Sequence, residues 1–541
     1  MIKSYIILVI TFFAIHTSFA QTYQWVKHNS HSISFNPDFA SFPSAADGSG
    51  NVITGTIHNF KLVYGTAFYG DIIFRKYNST GNEVLSKILT GKAIIKNIDC
   101  DANGNIYMFG SFMDTLRIDA SNFIVNTGSG FDLNDYLIKF NSSGNVLWKK
   151  NITALYSNNA SVSVIKIKGN ILLAGIVTYN FQGMIKKFDL NGNEQLSVIF
   201  NPVRTLSGLD IDGSGNIFAA GSCGTGNVNF AGLNVNCSYV YSLYFAKLNS
   251  SGTGIWAKLV EDVTFENPSV VCDNSGNVYG CGDLYDNFLF GTIQTQGPDW
   301  VYDFYLTKID ASGTFLWVKE VPNSSGFPSG DAAVGKATKL IIDAQNNLYI
   351  TGFQRGTIDW DENITTTSAG SYDVLVLKYN SNGTLLWGKT AGGTSVERGD
   401  AISLDNSNNI FVTGNFNQSS VFDTIIVTGS GQINSFTAKL SNPAITGVSN
   451  QNSTPFSYFL NNYPNPFNPK TIISYQLAIN SDVKLTVFDI TGREIAVLVN
   501  QNQNAGKYSI EWNAGNVTSG IYFCKIESEN FTQTNKMILL K

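Results

Sequence analysis

Few residues in this 541-residue chain are suited to chemistry. Asp359-Trp360-Asp361-Glu362 gathers three acids around an aromatic ring, a grouping that can grip a sugar or a cation. Trp360, however, aligns with Phe230, Phe290 and Phe422 in comparable stretches, which favours a core position. Asp299-Trp300 has no such counterpart and lies in a longer insertion, so Trp300 and Tyr302 are the preferred ligand contacts. Beyond the first twenty residues, histidine is limited to His28, His31 and His58, read as surface or loop positions. No His-Glu-x-x-His, Walker-type loop or Gly-x-Ser-x-Gly occurs. The cysteines (Cys100, Cys223, Cys237, Cys272, Cys281, Cys524) show no Cys-x-x-Cys spacing and no nearby histidine. No catalytic, cofactor-binding or metal residue is therefore assigned, and no cofactor is expected. Cys223 and Cys237 are either a pair formed after export or small buried side chains.

The chain opens with Lys3, an apolar run from Tyr5 to Ile15, and Thr17-Ser18-Phe19-Ala20. That is the pattern of a secretory signal peptide over 1–20, too short in its apolar part to span a bilayer. No later segment supplies a span, so none is expected in the mature chain. Loss of the leader removes Lys3 and no acid, taking the formal charge from −5 to −6. A mildly acidic chain with only 14% charged residues argues against nucleic acid as a partner.

The elements that must position any site come from an internal repeat. Its core is Asp-x-x-Gly-Asn, an apolar strand and Gly, as in Asp47-Gly-Ser-Gly-Asn51 and Asp101-Ala-Asn-Gly-Asn105. Seven copies open at Asp47, Asp101, Lys168, Asp212, Asp273, Asp343 and Asp405. An Asp that bonds the backbone ahead of it and a Gly that accepts positive φ make a tight hairpin turn. Lys168 replaces Asp in the third copy, which favours a turn role over calcium ligation. The repeated Asn-x-Ser/Thr sequences, such as Asn141-Ser-Ser143, fall on predicted turns and are read the same way. Each copy is followed by an apolar strand with Lys, a turn, and a strand ending near Trp-x-Lys, at Trp148, Trp256, Trp317 and Trp387.

Two hairpins per repeat predict a four-stranded antiparallel sheet, and seven such sheets predict an all-β, seven-bladed β-propeller over 21–441. An open solenoid is the structural alternative. The seventh copy ends at Ser435-Phe-Thr-Ala-Lys-Leu440 without its Trp-x-Lys strand, while Tyr23-Gln-Trp25-Val-Lys27 carries that signature before the first hairpin. The N-terminal strand is therefore expected to complete the last sheet and close the ring. Roughly over 22–441 these residues resemble the bacterial SBBP-type β-propeller repeat, and Ala391-Gly392-Gly393 is similar to its inter-blade Gly-Gly. The resemblance implies a propeller and brings no catalytic residues.

Residues 442–460 are polar, carry Pro and Gly, and read as a linker. Residues 461–541 alternate as strands broken at Gly492 and Gly506, predicting a small immunoglobulin-like β-sandwich. Tyr463-Pro464-Asn465-Pro466-Phe467-Asn-Pro469, Asp489 with Gly492, Trp512, Gly520 with Tyr522, and the ending from Lys536 to Lys541 resemble the type A sorting domain of type IX secretion (Por secretion system) cargo. This implies contact with the type IX secretion machinery, export across both membranes to the cell surface or medium, and removal of the tail between Asn442 and Tyr463. The function expected is a monomeric, non-enzymatic binding or adhesion module for a glycan or surface protein. The alternative is an extracellular polysaccharide- or protein-degrading enzyme with its site on one propeller face.

Overall fold

The computed structural model describes residues 21–541 except 32–41, 64–66, 127–132, 154–159, 179, 298–300, 323–329, 336–338, 362–363, 431–432, 442–458, 478–480, 504–505 and 529–530. The expected leader at 1–20, Trp300 and Glu362 thus lie outside the described residues. The architecture is all-β, with strands paired antiparallel throughout the named sheets. No helix among the described residues is long and apolar enough to cross a membrane. The chain divides into two compact units, 1–444 and 445–541.

The hairpin turns of the first unit use the chemistry that the repeat predicts. Asp101 Oδ1 accepts the backbone N–H groups of Asn103 (3.0 Å) and Asn105 (3.0 Å), while Oδ2 takes the Asn105 amide (2.8 Å) and the Tyr107 hydroxyl (3.1 Å). Gly104 sits at φ 71°, where a side chain would be strained. Asp47, Asp212, Asp273, Asp343 and Asp405 hold their turns in the same way.

The second signature clamps one sheet to the next. Trp148 Nε1 and Lys139 Nζ both donate to the carbonyl of Leu190, at 3.1 and 2.9 Å. Trp256 and Lys247 share the Ala311 carbonyl, and Trp25 and Lys439 share that of Ser79. The same lysines lie over the ring that follows the turn motif, Lys139 on Tyr107 at 5.0 Å and Lys247 on Phe218 at 5.3 Å.

Tyr23–His31 pairs with Ile433–Leu440, with Trp25 opposite Lys439 and Val26 opposite Ala438. This is the pairing that the displaced Trp-x-Lys signature called for, and it completes a four-stranded sheet with Ile410–Phe416 and Glu397–Leu404. Two other sheets of the first unit are four-stranded, each carrying one repeat: Gly208–Ile211 to Gly254–Glu261, and Ser269–Cys272 to Phe315–Lys319. The first two repeats depart from separate sheets. Glu83–Cys100 is a single 18-residue strand whose first half pairs with Ala67–Tyr77 and whose second half pairs with Ile106–Arg117. Register shifts at Thr90/Lys92 and Ile95/Asn97 bend it between the two partners.

In the second unit Phe459–Tyr463, Lys470–Leu477 and Gly506–Asn513 form one sheet. Glu494–Gln503, Ser481–Asp489, Gly520–Ser528 and Phe531–Leu539 form the other. Their shared core includes Ile473, Leu485, Val487, Trp512, Tyr522, Cys524, Met537 and Leu539. Period-two burial along Gly520–Ser528, with Tyr522, Cys524 and Ile526 inward, is what a sheet packed on one face requires.

Candidate functional site

The innermost strands of the first unit meet around a cavity of about 400 Å³. Ser44–Ala46, the end of Glu83–Cys100, Ala160–Lys168, Gly208–Ile211, Ser269–Cys272, Leu340–Ile342 and Glu397–Leu404 each contribute to its wall. Each of these strands contacts the next in that order, and the last contacts the first.

The wall carries Lys96, Lys166, Lys168 and Lys339 against two carboxylates, Asp99 and Asp210. Asp99 accepts the Cys100 N–H at 2.9 Å and, from the adjacent strand, the Ile167 N–H at 2.7 Å. Asp210 repeats the arrangement with Ile211 N (2.8 Å) and Cys272 N (2.8 Å), and its carboxylate also faces Lys168 Nζ at 3.3 Å. Burial raises the pKa of Asp99, partly opposed by Lys166 and the two backbone donors. Burial also disfavours the Lys166 ammonium, but the Asp210 and Asp99 charges outweigh it and lift its pKa above the usual lysine value. Both acids thus act as ties between neighbouring inner strands, and the lysines give the cavity an excess of positive charge. Lys168, the odd residue of the third hairpin, owes its contact to its place opposite Asp210.

A second surface lies outside the cavity. Tyr302 meets the rings of Phe353 and Tyr372 edge-on at 5.3 and 6.0 Å, and Phe353 meets Tyr372 at 5.2 Å. Arg398 lies 4.6 Å over Phe353, and Arg355 lies 5.5 Å over Tyr372 while pairing with Asp331 at 2.7 Å. Tyr302 is therefore one member of a half-buried aromatic and arginine cluster.

The remaining residues singled out in the sequence fall apart in space. Trp360 packs against the core beside Phe304, and its Nε1 donates to Thr366 at 2.7 Å; Phe230, Phe290 and Phe422 are buried at the matching positions. Asp359 accepts the Thr365 hydroxyl at 2.7 Å on the exposed side. His28 stacks edge-on against Phe416 at 5.8 Å, and His58 is exposed. Cys223 and Cys237 are buried neighbouring thiols; the contact with Cys237, and then burial, raises the pKa of Cys223. Among the described residues no group of three or more His, Cys, Asp or Glu side chains is placed to hold a metal.

In the second unit the signature residues at its two ends bind each other. Asn465 donates its amide to the Lys536 carbonyl (2.8 Å) and accepts the Ile538 N–H (2.9 Å). Phe467 exchanges backbone bonds with Ile538 and Leu540. The Pro464 carbonyl takes the Thr471 hydroxyl at 2.9 Å, and Tyr463 pairs through its backbone with Ile472. Tyr522 donates to Thr518 O at 2.7 Å and packs on Trp512, two residues after Gly520. Asp489 closes the turn that ends at Gly492 (φ 82°), and its pKa is pulled down to about 2, first by the Thr491 hydroxyl. Lys541 donates its N–H to Ser519 Oγ and its ammonium to the Gly515 carbonyl, whereas the Lys536 side chain is exposed.

Residues 461–540 match the model of the secretion system C-terminal sorting domain. The protein is cargo of type IX secretion. It is exported to the cell surface or extracellular space, and its tail engages the secretion machinery. Over 37% of its length the chain is similar to an uncharacterised WD repeat-containing protein of Acanthamoeba polyphaga mimivirus, 24% identical over 222 residues. That match spans 15% of the viral protein's length. Among solved structures, the chain aligns with a quinohemoprotein alcohol dehydrogenase from Comamonas testosteroni at 8% identity and a TM-score of 0.34, covering 81% of this chain and 79% of that one. It also aligns with PorZ, a surface component of the type IX secretion system of Porphyromonas gingivalis, at 11% identity and a TM-score of 0.19, covering 95% of this chain and 100% of that one. Alignments this loose assign neither activity nor ligand.

Proposed function

We propose that residues 21–441 form a seven-bladed, SBBP-type β-propeller that acts outside the cell as a non-enzymatic binding module. In this reading the leader at 1–20 and the linker at 442–460 flank it, and an immunoglobulin-like sorting domain follows at 461–541. The closed succession of seven inner strands around the cavity supports the propeller, and the pairing of Tyr23–His31 with Ile433–Leu440 supports closure by the N-terminal strand. The observation that carries the binding role is the use of the wall carboxylates. Asp99 and Asp210 are held by backbone N–H groups of adjacent strands, an arrangement that fixes the ring. The four lysines of the wall favour a ligand end bearing carboxylate or phosphate, such as an acidic glycan. Tyr302, with Phe353 and Tyr372, offers a second contact surface for a sugar face or a surface protein. Trp300 remains proposed as a ligand contact.

The test is binding of the purified exported protein to an array of acidic and neutral polysaccharides and surface proteins, with turnover assayed on every hit. Saturable, salt-sensitive binding without product is expected. Release of product from any bound polymer overturns the binding module in favour of a hydrolase or lyase.

A further inference from the structure

Two buried acids of the first unit lie beside the Gly392-Gly393 turn. Asp373 is 2% exposed, and its Oδ2 accepts the Ala369 N–H at 2.9 Å. Glu397 is fully buried, and its Oε2 accepts the Gly393 N–H at 2.9 Å. The other oxygen of each, Asp373 Oδ1 and Glu397 Oε1, is buried and forms no hydrogen bond of good geometry. The Asp373 carboxyl packs so tightly on the turn that a Cβ on Gly392 would stand 2.4 Å from its Cγ. Gly392 in turn exchanges backbone bonds with Val421 at 3.0 and 3.1 Å, which brings the neighbouring Ser420 to the same place. Ser420 is fully buried, and its hydroxyl faces the Glu397 carboxyl together with the Asn417 N–H. The Asn417 side-chain oxygen is likewise buried and without a donor, although the residue as a whole is half-buried. Burial, with a further contribution from Asp373, pushes Glu397 up to about 7.

Three buried acceptors without a well-formed hydrogen bond, one on each carboxyl group and one on Asn417, carry a desolvation cost that a cation would offset. The acids are not a requirement of the repeat. Where Asp373 opens its strand opposite Gln354, the corresponding residues of three other repeats are Asn134, Ser242 and Asn434. Asp303 is acidic at that position too, but its Oδ1 is closed by the N–H groups of Phe304 and Val321.

We propose that Asp373, Glu397, Asn417 and Ser420 form a calcium site. An all-oxygen set of two carboxylates, an amide and a hydroxyl is a hard donor set, and its irregular spacing suits Ca²⁺ better than Mg²⁺, which demands near-octahedral geometry. Water completes the coordination. The extracellular space, where the protein acts, is where calcium sites of about 10⁻⁴–10⁻³ M affinity operate.

The test is calcium titration of the chelator-stripped, full-length exported protein by calorimetry and by thermal unfolding. One binding event of that affinity or tighter is expected, with a rise in Tm and a weaker response to Mg²⁺. The double variant Asp373→Asn, Glu397→Gln keeps the shape and removes both charges. It is expected to bind Ca²⁺ at least about 100-fold more weakly and, without calcium, to melt above the stripped parent, because the like-charge conflict is gone. Failure of the parent to respond to 10-fold the upper affinity limit overturns the site, as does undiminished binding by the double variant. A terbium-luminescence titration of the parent alone gives an independent reading: competition by Ca²⁺ supports the site, and no sensitised emission overturns it.

Discussion

The two units use their signature residues in opposite ways. In the repeats one solution is used again and again: an aspartate closes the first hairpin of every copy but the third, and at Trp25, Trp148 and Trp256 a tryptophan and a lysine share a carbonyl of the next sheet. In the sorting domain each signature residue has a single task, and the tasks converge on one place, where Pro464, Asn465 and Phe467 fasten the last strand. Loss of one repeat residue removes one contact among many alike. Loss of one sorting residue removes a contact with no duplicate.

Asn465→Ala gives the largest expected effect, since it deletes both side-chain bonds to the last strand. A loss of about 2 kcal/mol in the unfolding of the C-terminal unit is expected, with cargo retained inside the cell on fractionation. Normal export from a destabilised tail would separate recognition from folding. Lys168→Asp sharpens the comparison from the other side, because it puts the aspartate of the other six copies at the start of the shorter third turn. It is expected to destabilise by about 1–2 kcal/mol, since it exchanges the cation facing buried Asp210 for a like charge; a gain in Tm would mean that the consensus outweighs the local pair. Trp256→Phe keeps most of the ring and deletes one donor to Ala311, while Lys247 still reaches that carbonyl. A cost of about 1 kcal/mol by denaturant unfolding is expected, and a much larger cost would show that the clamps act as one unit. The smallest effect belongs to Asp489. Its folded pKa lies below the ordinary aspartate value of about 4, so its contribution is complete above that pH and is lost as pH falls through about 2. Asp489→Asn should flatten the acid limb of the sorting domain's stability curve, lowering stability slightly at pH 7 and leaving it nearly unchanged below about pH 2.

The sequence carried the features in which residues close together along the chain do the work. The turn aspartates, Gly104 and Gly492 could be read because an Asp bonds backbone two to four residues ahead of it. The displaced Trp25 signature could be read because its counterpart was missing at Leu440. Other features required the fold. The bend of Glu83–Cys100 between two partners is marked only by Gly91, a lone glycine in an otherwise continuous strand. The cavity wall draws its lysines from two strands and from Lys339, just before a third, which no local pattern links, and only the substitution at Lys168 stood out in advance. Tyr302 was visible as an aromatic residue in an insertion, but its partners Phe353 and Tyr372 lie 51 and 70 positions away. Asp373 and Glu397 resemble any other strand and turn acids until burial leaves two of their oxygens without a hydrogen bond of good geometry.

The pairing of Tyr23–His31 with Ile433–Leu440 also sets an order of events in time. Its partners are some four hundred residues apart, so nearly the whole first unit must be available before this sheet can gain its fourth strand. Joining ends so far apart adds loop-closure entropy only slowly with length, but the long-range contacts form last. The edge of Ile433–Leu440 is therefore sealed only once both ends of the unit are present, and the zipping of these two strands is a check that the unit is whole.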